Sequence, residues 1–373
     1  MEKDERINKL AQTILKNSIK LKKGETVYIE ARGLSTMPLM QEMIKEATKI
    51  GAVPFYYFND DSFLKEMIAN SNVEQIEAYS KNILDIMKKC DAYVAIRGDD
   101  DLFLLSDVSD KKMQPYRKIY NEIVTNYRIN KTRWCVMRYP NEAFAATARM
   151  SVEKFEDFFF DACLVDYNKM GKQMQKLSDL MLKTDKVRIV APGTHLEFSI
   201  KGIPNHVSNG TLNIPDGEVY TAPVKESING YIQFNVDSVY SGSYFSNVYL
   251  KFEKGRIVKA KSAANDKKLQ KILDLDAGSR YMGEFAIGVN PYVTKPMLDV
   301  LFDEKIAGSI HMAIGNSYDD TSNGNKSSNH WDLVLIHTKE YGGGEVWFDD
   351  VLIRKDGLFV VKELQGLNPD RLK

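Results

Sequence analysis

The residues best suited to chemistry lie between positions 213 and 332. The chain has five histidines, His195, His206, His311, His330 and His337, and two of them stand in informative company. His330-Trp331-Asp332 leads into the apolar run Leu333-Val334-Leu335-Ile336, which reads as a buried strand. Side chains at i and i+2 of a strand share a face, about 7 Å apart along the backbone. His330 and Asp332 can therefore converge on one point, and an imidazole beside a carboxylate suits a divalent metal. A strand-end hydrogen bond is the competing reading. His311 sits inside the apolar stretch from Ser309 to Gly315, ahead of the polar loop from Asn316 to Asp320. A histidine in an apolar strand needs partners for its ring nitrogens, and a metal is one such partner.

Two carboxylates keep similar company. Glu218 is bracketed by Pro and Gly within Asn213 to Pro223 (NIPDGEVYTAP), and Glu284 lies between Gly283 and an apolar stretch within Arg280 to Asn290 (RYMGEFAIGVN). A buried carboxylate without a counter-charge is costly, so each calls for a cation. That cation is either a metal or a basic side chain, with Arg280 a candidate. Other chemistries find less support. Cys90, Cys135 and Cys163 are far apart with no CxxC, which points to buried, reduced cysteines rather than a thiolate zinc site or a disulfide framework. Neither GxGxxG nor GxxxxGK[ST] occurs at a strand-to-helix junction, so nucleotide binding is not expected. The acidic run Asp99-Asp100-Asp101 reads as a solvated loop more readily than as a cation site.

Taken in order, Asn213–Pro223, Arg280–Asn290, Ile310 to Tyr318 (IHMAIGNSY) and His330-Trp331-Asp332 closely resemble the thermophilic-type metallo-aminopeptidases, the aminopeptidase T and aminopeptidase S group. Lys23 to Ala31 (KGETVYIEA) and Arg133 to Ala145 (RWCVMRYPNEAFA) extend the resemblance over nearly the whole chain. It implies that Glu218, Glu284, His311, His330 and Asp332 hold two adjacent divalent ions, and that Tyr318 stands in the catalytic site. It also implies a homodimer whose clefts face an enclosed cavity, restricting substrates to peptides with a free N-terminus. An all-nitrogen-and-oxygen ligand set admits zinc, cobalt, manganese or magnesium. Two such ions bring four positive charges against three carboxylates, and the residue favours a bridging hydroxide. That hydroxide would attack the first carbonyl of the peptide, Tyr318 would donate a hydrogen bond to the developing oxyanion, and Glu284, or else Glu218, would carry the proton to the leaving amine. An Fe(II) ring-cleaving oxygenase using His311, His330 and Asp332 is one alternative, and a non-catalytic metal- or peptide-binding dimer is another. Two departures from the family pattern are visible. His195 stands in Gly193-Thr194-His195-Leu196 where an acidic residue is expected, and the loop between His311 and His330 is short, with Asn323 to Ser328 trimmed.

The elements that must position these residues follow from pattern and composition. At 373 residues, two domains are the default. Ile7, Leu10, Ala11, Ile14 and Leu15 mark a helical face. Strands are expected at 25–31, 53–58, 91–97 and 132–138, with a helix between the first two that starts near Ser35 or Thr36 and ends at Gly51. Such alternation predicts a mainly parallel sheet flanked by helices. A helical segment follows from Ser151, with Gly171 as its expected interruption. Beyond residue 183 the texture alternates at period two, with a hairpin turn at Glu253-Lys254-Gly255, so an α+β domain with a largely antiparallel sheet is predicted. The domains are therefore set at 1–184 and 185–373, the second carrying the metal site. Lysines plus arginines equal aspartates plus glutamates, 51 of each, so no global field draws the chain to nucleic acid or to an anionic membrane. With no apolar leader at the N-terminus and no spanning stretch, a cytoplasmic enzyme is expected.

Overall fold

The computed structural model describes residues 4–101 and 104–373. These divide into two compact units, the first running to Leu164 and reclaiming Gly210–Pro215, the second comprising Val165–Asn209 and Asp216–Lys373. The boundary expected near residue 184 lies one helix downstream of this division.

The first unit is a five-stranded, all-parallel sheet ordered Val53–Asn59, Thr26–Arg32, Ala92–Arg97, Arg133–Arg138 and Asn213–Ile214. The helix Met37–Ile50 has Pro38 in its first turn, where a missing N–H costs nothing. It stops at Gly51, whose φ of 83° an L side chain would resist. Val27, Ile29, Ala31, Val94 and Ile96 are fully buried in the sheet. The Val53–Asn59 strand is at the sheet edge and exposes Phe55, Tyr56, Tyr57 and Phe58. In the acidic loop, Asp99 is largely buried 3.9 Å from Arg138, so only part of that run is solvated. Cys90, Cys135 and Cys163 are buried thiols outside any disulfide.

In the second unit the helix Tyr167–Met181 runs straight through Gly171. The break comes earlier, at Leu164–Asp166, where the Asp166 carboxylate accepts from the Lys169 N–H and caps the new helix. Gly171 instead permits close packing, because a Cβ there would come within 2.6 Å of the Asn209 amide. Two antiparallel sheets follow. The larger has eight strands, and its Tyr249–Glu253 and Arg256–Lys261 pair turn through Lys254 and Gly255, both at positive φ as a two-residue hairpin loop requires. The smaller has five strands in the order His330–Ile336, Ser309–Gly315, Met282–Gly288, Glu218–Thr221 and His206–Ser208. Among the described residues, no helix is long and apolar enough to cross a membrane.

Candidate metal centre

Register in the five-stranded sheet decides which side chains meet. Ala286 pairs with both His311 and Tyr220, Gly288 with Glu218, His311 with Val334, Ala313 with both Glu284 and Asp332, and Gly315 with His330. Directly paired residues share a face, and so do residues two apart. One face therefore displays Glu218, Tyr220, Glu284, His311, His330 and Asp332, while Ala286, Gly288, Ala313 and Gly315 between them leave room for a ligand. The opposite face carries Phe285, Ile287, Ile310, Met312, Ile314, Leu333 and Leu335, all buried. Core packing thus fixes the orientation of the polar face.

The five side chains singled out as metal ligands converge. His311 Nε2 lies 3.1 Å from Glu284 Oε1, 3.5 Å from Glu218 Oε2 and 3.9 Å from Asp332 Oδ1. His330 Nε2 lies 3.3 Å from Glu284 Oε2 and 3.5 Å from Asp332 Oδ1. The other ring nitrogen of His330, Nδ1, is 2.8 Å from the Asn316 carbonyl. A proton on Nδ1 donates to that oxygen and leaves the Nε2 lone pair facing the carboxylates. Glu218 Oε2, His330 Nε2 and Asp332 Oδ1 are buried without hydrogen-bond partners. Unpaired buried polar atoms of this kind are rare, and carboxylate and imidazole donors together suit a divalent cation. The residues fit a metal.

Sequence reading missed part of the cluster. Arg280 is not the counter-ion of either glutamate; its guanidinium meets Asp274 at 2.7 Å and the Ile257 carbonyl. The cation is Lys305, with Nζ 2.6 Å from Glu218 Oε1 and 2.7 Å from Glu304 Oε1. Glu304 also lies close enough to Glu218 and His311 for the three to share one ion. No motif in the sequence singles out Asp303-Glu304-Lys305.

The electrostatics reflect crowding. Burial pushes the Glu218 carboxyl up to about 8, against the pull of Lys305. Burial opposes a charged ring at His311, but Glu218 and Glu284 outweigh it and hold the imidazole up at about 10. At Asp332 burial is likewise overcome, by the His330 and His311 rings, and the carboxyl falls to about 2. Glu284 sits below the usual carboxylate range, its burial offset by the same two rings. The histidines thus supply the positive charge that a metal would otherwise bring.

Tyr318 follows the strand on the same side. Its ring lies 4.8 Å from that of His330 and 5.5 Å from that of Tyr220, and about 45% of the residue is exposed. The loop carrying it is laced by short amides: Asn325 Nδ2 donates to the Gly278 and Gly315 carbonyls, and Asn323 Nδ2 to those of Pro223 and Met282. Further out, Asp320 accepts from Tyr220 Oη at 3.1 Å and pairs with His206 Nδ1 at 3.0 Å. His195 and His337 stand outside the cluster, the first half-exposed 3.6 Å from Glu197, the second buried against Arg354.

Residues 3–346 match the family described as thermophilic metalloprotease (M29). Aminopeptidase 2 of Geobacillus stearothermophilus is 22% identical over 352 residues, 84% of each chain. Wild-type AmpT from Thermus thermophilus superposes with a TM-score of 0.83 at 20% identity, covering 96% of this chain and 99% of that one. 2,5-Dihydroxypyridine dioxygenase from Pseudomonas putida KT2440 shares the fold more distantly, with a TM-score of 0.59 at 13% identity over 96% and 98% of the two chains.

Proposed function

The chain belongs to the thermophilic metalloprotease (M29) family, and from that premise we propose that it is a metallo-aminopeptidase that releases N-terminal residues from peptides. The observation that carries this reading is the convergence of Glu218, Glu284, His311, His330 and Asp332 on one sheet face, with three buried ligand atoms unpartnered. In this reading the five residues would hold two divalent ions, drawn from zinc, cobalt, manganese or magnesium. Bound there, such ions supply a hydroxide at neutral pH and polarise the scissile carbonyl.

The chain's own groups then have distinct tasks. His330, tethered through Nδ1 to the Asn316 carbonyl, keeps Nε2 fixed toward Glu284 and Asp332. Tyr318, protonated at neutral pH, donates its phenolic hydrogen bond to the oxyanion that develops on the carbonyl. Glu284 lies between both histidines and carries the proton from the attacking water to the leaving amine. Glu218 is less free for this, because one of its oxygens is taken by Lys305. The reading includes a cytoplasmic homodimer acting on peptides, whose assembly light scattering would measure.

The test is to strip the protein with a chelator and offer it a leucyl peptide and its N-acetylated twin, restoring Zn²⁺, Co²⁺, Mn²⁺ or Mg²⁺ in turn. Metal-restored cleavage of the free-amine peptide alone is expected. No cleavage with any of the metals would sink the activity, and oxygen consumption with iron would replace it with ring-cleaving chemistry.

A further inference from the structure

Lys305 has no exposed surface. An ammonium has three protons to donate, and three carboxylates surround it: Glu218 Oε1 at 2.6 Å, Glu304 Oε1 at 2.7 Å and Asp216 Oδ1 at 3.5 Å. Its backbone is held as firmly as its tip. The Lys305 N–H donates to the Phe302 carbonyl, and the Lys305 carbonyl accepts from the Asn290 N–H at 3.0 Å. Asn290 Nδ2 in turn donates to the Asp216 carbonyl at 2.8 Å. Gly217, at a φ of 134°, lets the Asp216–Glu218 segment lie against Asn290, which a Cβ would approach to 3.1 Å. The segment that delivers Glu218 and the turn that delivers Lys305 are thus laced together.

We propose that Lys305 is a positioning residue of the metal centre: it fixes Glu218 with Oε1 on the ammonium and Oε2 toward His311, and it occupies the cation position between Glu218 and Glu304. This rests on the metal-centre reading above and adds to it a residue outside the presumed ligand set. Two consequences follow from the charges. Asp216, Glu218, Glu284, Glu304 and Asp332 bring five negative charges when ionised, and among the described residues Lys305 is the permanent cation that faces them. With neutral histidines these groups leave four negative charges around the site, and without Lys305 five. The ammonium also keeps Glu304 from serving with Glu218 and His311 as a separate ion site, although their ligand atoms are close enough to do so.

The experiment is a Zn²⁺ titration of the chelator-stripped, full-length protein against a chromophoric competitor. Wild type is compared with Lys305→Met, Lys305→Arg and the double variant Lys305→Met/Glu304→Gln. The double variant removes one charge of each sign, so it separates positioning from charge balance and serves if the single methionine variant does not fold. Circular dichroism of each stripped protein checks the fold. Removing a group that orients a ligand typically lowers metal affinity about 10–100-fold. That loss is expected in Lys305→Met and in the double variant, confined to one of the two binding steps, with partial recovery in Lys305→Arg. Wild-type affinity in both Lys305→Met and the double variant would overturn the proposal, and so would equal weakening of both steps. A wild type that binds two ions yet cleaves no peptide would defeat only the aminopeptidase reading, and the variants would still decide Lys305. A wild type that binds no divalent ion would overturn both.

Discussion

His330 shows how far a single side chain is committed before any ligand arrives. One ring nitrogen is anchored on the Asn316 carbonyl, and the other is buried without a hydrogen bond among carboxylates. Tyr318 leans on that ring, and about 45% of the residue is exposed. Tyr318→Phe keeps the ring contact and deletes the donor, so kcat should fall by about 10²–10³ while bound metal, measured by elemental analysis, stays unchanged. An unchanged kcat would remove Tyr318 from the mechanism. Asp332→Asn keeps the shape and removes a charge that faces both histidines. It should lose metal as well as activity, and normal metal content in that variant would exclude Asp332 as a ligand.

At the scale of elements, strand periodicity did most of the positioning, and it was readable in advance. The apolar runs at Ser309–Gly315 and Leu333–Ile336 predicted both strands, and the i, i+2 spacing predicted the shared face of His330 and Asp332. The helix from Ser151 was also legible, yet its break was placed at Gly171 because a glycine looks like an interruption when its packing partner, Asn209, is unseen. Gly315 is the element-level control on the site. It pairs with His330, has a φ of 102°, and a Cβ there would sit 2.2 Å from Asn329 Oδ1. Gly315→Ala should cost about 1–3 kcal/mol from backbone strain alone, read as a lower urea midpoint, and should weaken metal binding in the same protein. A wild-type midpoint would show that the loop yields without resistance.

For the whole molecule, two linkages can be measured. The apolar face of the site sheet is fully buried in the core, so a stripped protein should remain folded but melt lower. Each ion present at 100 times its dissociation constant adds about 2.7 kcal/mol. Differential scanning fluorimetry with and without chelator reads this, and identical melting curves would mean that no ion was bound. The second linkage is to pH. His337 is buried beside Arg354, and burial together with that guanidinium holds its ring well below the ordinary value. In the unfolded chain it takes a proton below about pH 6.5, while in the folded chain it stays neutral. Stability should therefore fall as pH drops through about 6.5, by up to about 1.4 kcal/mol per unit from this group. His337→Gln should show a shallower loss between pH 7 and 5.5, and equal slopes would dismiss the contribution.

By itself the sequence determined the candidate ligand types, their strands, the change from parallel to antiparallel sheet, and the resemblance that joined them into one candidate site. Each of these is written locally, in side-chain chemistry, in period-two alternation or in a short motif. Only the tertiary structure decided how the buried charge is balanced. Lys305 and Glu218 are 87 residues apart in the chain and 2.6 Å apart in space, and Arg280, the nearer candidate in sequence, turns elsewhere. Counter-ions act through space with no preferred sequence spacing. Packing alone reveals that a lysine in a polar turn is the buried cation of the site.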